Sequence, residues 1–189
     1  ILLSVLEKRT TINLLLRNWI IVYFSNFCGA LFIVFLLNLT GLWTDNNFLA
    51  SVSGLKLATS KVNITFLEAF TRGILANWLV CLAIWLSVAS RLVIGKIIAI
   101  LFPITTFAAS GYEHCIANMY FVTKGLFLKN IPEIVSAANL SSHELSKLTT
   151  SGFIFHNLIP VTLGNILGAI IFVAFLYWFV FLKGRCTEC

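Results

Sequence analysis

FPITTFAASGYEHCIANMYFVTKG, residues 102–125, sets a proline, a glycine, an acid, an imidazole and an amide inside an otherwise apolar run. Pro103 lacks the backbone donor that a helix interior needs, and Gly111 accepts angles that stop a helix. The helix is therefore expected to break near residues 107–112. Hydrocarbon offers no water to the freed peptide groups, so irregular backbone survives there only when buried in protein or lining a cavity. Glu113 and His114 are costly at such a depth and are functional candidates by default. Neighbours on a helix point about 100° apart, so the two need different partners. His114 reads either as facing a pore or as a packed, hydrogen-bonded ring. Glu113 reads either as functional or as a buried acceptor that ties the interrupted helix to its neighbours. An imidazole, with an ordinary pKa of roughly 6.5, suits proton exchange, and its cationic form attracts anions.

The surroundings justify speaking of hydrocarbon. The chain has 189 residues, 59% hydrophobic and 11% charged. Ordinary soluble domains are about 45–50% apolar and about 25% charged. A disordered chain, a nucleic-acid arm and most soluble enzymes are excluded. The net charge of +6 comes from residues between apolar runs, so the charges mark topology and attract anions; no nucleic acid is expected. Uncharged runs of 27, 18 and 35 residues lie between Arg17 and Asp45, Arg72 and Arg91, and Lys147 and Lys183. With the broken segment they predict four crossings, roughly 18–44, 66–90, 97–128 and 157–182. Residues 1–17 and 86–96 each sum to +2 and the tail after Leu182 to +1, against +1 for 45–65 and for 124–147. The first set, with the C-terminus, is thus expected on the cytoplasmic side, and 45–65, with Lys61, outside as a loop.

Residues 18–30, NWIIVYFSNFCGA, and 157–169, NLIPVTLGNILGA, share Asn18/Asn157, Ile20/Ile159, Val22/Val161, Asn26/Asn165, Gly29/Gly168 and Ala30/Ala169. Three crossings separate the copies, so they point in opposite directions, as in the inverted repeats of channels and transporters. The small residues and the amide suit close helix packing in lipid. The repeat also predicts six crossings in the whole protein, of which about four are present here. Ile1–Leu6 reads as the end of a helix that starts upstream.

KVNITFLEAFTRGILANWLVCLAIW, residues 61–85, is the second constellation. Asn77 lies inside an apolar run and reads as pore-lining or as packing. Lys61, on composition alone, is a solvated loop charge. Glu68 and Arg72, four apart, share a helix face and can pair. Cys28, Cys81 and Cys115 behave as small hydrophobes, and Cys186 and Cys189 form a lone C-x-x-C at the tail. His143 and His156 have no ligand spacing, so neither a metal nor a cofactor is expected.

The pieces KVxxTFxEAFxRGILANWLVCLAIW, FAASGYEHCIANMY and NLIPVTLGN resemble the formate/nitrite transporter family over nearly the whole chain. The resemblance implies an all-α integral membrane fold: an aquaporin-like inverted repeat with broken helices, one transmembrane channel domain over 1–189, assembled as a homopentamer. It implies that His114 lies at the pore centre, with Lys61 and Asn77 shaping the field around it. Phe107 forms part of an apolar constriction and Val80 lines another. Glu113 and Asn118, from the E-H-x-I-A-N block, support them. Lys61 thereby rises from loop charge to functional candidate. The family's other broken helix, with its pore threonine, lies outside this sequence.

The expected function is passage of a small monovalent anion of the formate, nitrite or hydrosulfide class, or of its conjugate acid, linked to a proton through His114. The protein is expected in the lipid bilayer of a bacterial-type inner membrane. A non-transporting structural membrane subunit is the alternative. An enzyme is not expected, because no nucleophile or metal set has the required spacing. A water or glycerol pore would carry paired Asn-Pro-Ala motifs, and Ile116-Ala117-Asn118 is not one.

Overall fold

The computed structural model describes residues 2–183, so Cys186 and Cys189 lie outside the described residues. The described residues are mostly helical, without strands. In order they form α1 (Leu2–Leu6), α2 (Ile12–Leu39), α3 (Leu49–Asn63), α4 (Phe66–Ala89), α5 (Val93–Ala109), α6 (Cys115–Leu128), α7 (Pro132–Ala138), α8 (Ser142–Ser146) and α9 (Thr150–Leu182). Three of them, α2, α4 and α9, are long and apolar enough to cross a membrane. At 1.5 Å per residue, the 28 residues of α2 span about 42 Å. α5 and α6 are shorter apolar helices on either side of the interruption. Large apolar side chains stand outward along these helices, among them Phe24, Phe32, Phe35, Val93, Phe102 and Val180. That is the pattern of a surface bathed in lipid rather than water.

α9 contains three wider-turned stretches, Phe153–Leu158, Ile170–Phe175 and Trp178–Leu182. The first has a local cause. Pro160 cannot donate to the helix ladder, and just before it the Ile159 N–H reaches back five residues to the Ile154 carbonyl.

The chain forms two compact units. Among the described residues, one gathers 2–21, Phe70–His114 and 162–183. Within it α4 and α9 run parallel at backbone contact. A Cβ on Gly164 would collide with the Phe70 carbonyl, and one on Gly168 with the Ile74 carbonyl. The register continues as Trp78 stacks on Phe172 at 5.1 Å and Trp85 on Tyr177 at 4.2 Å.

The other unit comprises Val22–Ala69 and Cys115–Val161. Its core joins Leu55, Ala58 and Val62 of α3 to Met119, Val122 and Leu128 of α6, with Ile134, Leu148 and Val161 around them. α3 and α6 are antiparallel: Gly54 lies against Leu128, Gly125 against Ala58, and Lys61 over Phe121. The expected outer loop over 45–65 is thus mostly a 15-residue helix. Its buried residues, Ser51, Leu55, Ala58, Thr59 and Val62, recur at helical spacing. Three of them, Ser51, Ala58 and Thr59, are small or polar, so an apolar run does not reveal this face.

The two repeat copies differ in what they touch. In α9, Asn157 and Asn165 bond other elements and Gly168 meets a backbone. In α2 the Asn26 amide donates to Val22 of its own helix, and nothing lies within 4 Å of a Cβ built on Gly29.

Candidate functional site

The interruption is a helix stop followed by an extended strap. Gly111 takes φ +66, the left-handed region where a side chain is strained. The Gly111 N–H donates to Ala108 at 3.3 Å and the Tyr112 N–H to Phe107 at 3.3 Å. This 5→2 and 6→1 pair is a Schellman closure, which satisfies the last carbonyls of α5. Phe107 is therefore helical, and the gap is the stretch 110–114 before Cys115 opens α6.

A buried amide holds that strap. The Glu113 N–H reaches the Arg72 carbonyl at 3.4 Å, and the Glu113 carbonyl accepts from Asn165 Nδ2 at 3.0 Å. The same Nδ2 donates to the Gly73 carbonyl at 2.8 Å, while Asn77 Nδ2 donates to the Asn165 main-chain oxygen at 2.7 Å. Glu113 and Asn165 are each only 4% exposed. Both of these ties use the Glu113 backbone. His114 is half-buried, with its ring meeting Phe107 edge-on, centroids 6.0 Å apart and planes at 69°. Val80, half-buried, lies three residues beyond Asn77 on α4. One unit thereby gathers Phe107, Glu113, His114, Asn77 and Val80.

Lys61 and Asn118 belong to the other unit. Lys61 is in the last turn of α3, 8% exposed, its ammonium 5.8 Å from the Phe121 ring centroid. This corrects the reading of Lys61 as a solvated loop charge. A fully desolvated ammonium is costly, and an aromatic face offsets part of that cost. The Lys61 carbonyl accepts from Asn157 Nδ2 at 2.8 Å, and Asn157 Oδ1 accepts from Asn118 Nδ2 at 2.8 Å. Both amides are fully buried. Asn63 then ties the end of α3 to α8, donating to the Glu144 carbonyl at 3.0 Å.

Glu68 caps α4. Its Oε2 accepts from the Thr65 N–H and hydroxyl, each at 2.8 Å, and its N–H returns to the Thr65 hydroxyl. At the surface, Ser141 and Glu144 form the same box on α8, and the Ser141 hydrogen bonds hold the Glu144 carboxyl below its usual range. Among the described residues no three His, Cys, Asp or Glu side chains stand together as a metal site.

Asn157 and Asn165 were visible in the sequence only as letters of a repeat. The usable signal was an amide in a helix otherwise suited to lipid, where such groups find partners across helices.

A family model described as "Formate/nitrite transporter" matches residues 1–179. The chain is 41% identical over 177 residues to the formate channel FocA of Escherichia coli K12, covering 93% of this chain and 62% of that one. It is 41% identical to a probable formate transporter of Methanothermobacter thermautotrophicus, covering 96% and 65%. A solved pentameric formate channel with formate bound superposes with a TM-score of 0.81 at 36% identity, covering 89% of this chain and 67% of that one. The chain thus spans about three fifths of FocA's length. These relatives are channels and transporters, not enzymes. With its lipid-suited helices, its broken segment and this match over nearly all its length, the chain is an integral membrane protein and belongs to the formate/nitrite transporter family.

Proposed function

We propose that the protein passes small monovalent anions of the formate, nitrite or hydrosulfide class across a membrane, with His114 exchanging a proton with the permeant. The observation that carries this reading is an imidazole at a helix break, edge-on to Phe107 and carried on a clamped peptide. A bare anion entering an apolar constriction loses its hydration and meets a large Born penalty, whereas its conjugate acid does not. His114 lends the proton, the neutral acid passes Phe107 and Val80, and Asn77 and Asn118 keep the surroundings polar and ordered. Lys61 concentrates the anion. The working protein is a homopentamer in a bacterial-type inner membrane, with its C-terminus cytoplasmic. The pentameric formate-bound neighbour and the formate channels among its relatives support the substrate class and the assembly.

Reconstituted full-length protein tests the proton link. Formate uptake should acidify the liposome lumen and respond weakly to an imposed voltage. Uptake that follows voltage without acidification means that the bare anion crosses, and the proton-linked step is then wrong.

Lys61→Gln keeps the length of the stem but loses the charge. Uptake at low formate should fall by about 3- to 10-fold while saturating flux changes little, as expected for a lost attraction of about 1 kcal/mol near the surface of a pore. Equal loss at all concentrations would make Lys61 a packing residue.

A further inference from the structure

Asn165 takes no part in the anion path just described, yet its amide bonds the peptide unit that carries His114. We propose that Asn165 is a positioning residue for His114: it clamps the Glu113 carbonyl to α4 and thereby fixes where the imidazole stands.

The geometry is closed on every side. Nδ2 has two protons, and both are used, toward the Gly73 and Glu113 carbonyls at 2.8 and 3.0 Å. The Glu113 N–H goes to Arg72, the residue before Gly73. Two consecutive residues of α4 thus hold Glu113, one directly at its N–H and one through Asn165 at the carbonyl joined to His114. Asn77, one turn further along α4, closes the ring by donating to the Asn165 carbonyl at 2.7 Å. Gly164 and Gly168 flank Asn165 in the sequence, and their missing side chains let α9 come near enough for the short amide to reach.

A strap without helix hydrogen bonds has no stiffness of its own. In a site shielded from water, a bond to such a strap is strong, and no solvent replaces it when it is lost. Removing the Asn165 amide frees the Glu113 carbonyl to rotate, and His114 turns with it.

The assignment rests on the reading of His114 under Proposed function, so the test uses one readout that needs no transport. In the full-length protein, Asn165→Ala and Asn165→Ser are compared with the unsubstituted chain. His114 is labelled with diethyl pyrocarbonate and scored by mass spectrometry, with exposed His143 as the internal reference. The expected result is a change of about threefold or more in labelling rate at His114 alone, with a displaced midpoint in the pH profile of formate flux. Equal labelling and an unmoved midpoint in assembled variants overturn the proposal. So does failure of both variants to assemble, which makes Asn165 a folding residue only. Liposomes that carry no formate sink the transport reading instead and leave the labelling result to stand.

Discussion

His114→Asn should flatten the pH profile of formate uptake and cut flux at acid pH by about 10- to 100-fold, the effect of losing one hydrogen bond to a charged group. The sign follows from the imidazole. A protonated ring is a cation and a deprotonated ring is neutral, so falling pH favours the cation. In the unsubstituted protein flux should therefore rise as pH falls, because the cation both attracts the anion and can give up a proton. Asparagine keeps a polar side chain of similar reach but neither titrates nor carries charge. His114→Ala should lose the same pH dependence and also open space beside Phe107, whose ring lies 6.0 Å from the imidazole. If asparagine left both the flux and its slope with pH intact, protons would be supplied by water, and His114 would be a packing residue. Lumenal acidification, followed in the same liposomes, separates a lost proton step from a narrowed path. A narrowed path lowers uptake and acidification together and keeps the slope.

The interruption that holds this histidine was readable from the chain because its signals are local. Gly111 and the pair Glu113–His114 each conflict with a continuous apolar helix, whatever surrounds them, whereas α5 runs through Pro103 without a break. Gly111 then fixes the stop by its own backbone angle. α3 was not readable, because half its buried face is Ser51, Ala58 and Thr59. Such residues also make ordinary loops, and only the partner helix α6 shows which side they bury. Lys61 was misjudged on composition for the same reason: a lysine inside a core needs a ring or an acceptor that comes from elsewhere in the chain. Its place among the candidate pore residues rests on resemblance alone. The amides show the limit most clearly. Asn26 and Asn165 match in the repeat, yet one bonds its own helix and the other clamps the break. That difference comes from three-dimensional neighbours that the letters do not encode.

The buried amides also explain how a polar break persists in apolar surroundings. Asn118 and Asn157 lock α6 and α9 to the Lys61 carbonyl, and Asn165 locks the strap to α4. Each donates to a carbonyl or amide oxygen without adding net charge. A carboxylate or ammonium in the same places would have to be desolvated, which costs far more. Neutral amides therefore supply rigidity without a further buried charge.

Gly168→Ala should damage the protein out of proportion to one added methyl. The new Cβ would collide with the Ile74 carbonyl oxygen and meet the Ile74 C and Cα at 3.0 and 3.1 Å. All three are backbone atoms of α4, so no side chain can turn aside, and the helix itself must move. Overpacking usually costs about 1–3 kcal/mol, and a backbone obstacle places this case at or above the upper end. The displacement also reaches the site. Asn165 lies one turn before Gly168, and pushing α4 away stretches the 2.7 Å bond from Asn77. Gly54→Ala is the matched control: its Cβ would lie 3.5 Å from Leu128 Cδ1, an ordinary contact. Replacing a mid-helix glycine there should stabilise the fold by up to about 1 kcal/mol. Thermal melts of full-length protein in detergent should therefore move in opposite directions, with Gly168→Ala lower by roughly 5 °C or more. If the two alanines shifted the melt alike, the backbone contact between α4 and α9 would not exist, and the close approach on which the Asn165 clamp depends would go with it.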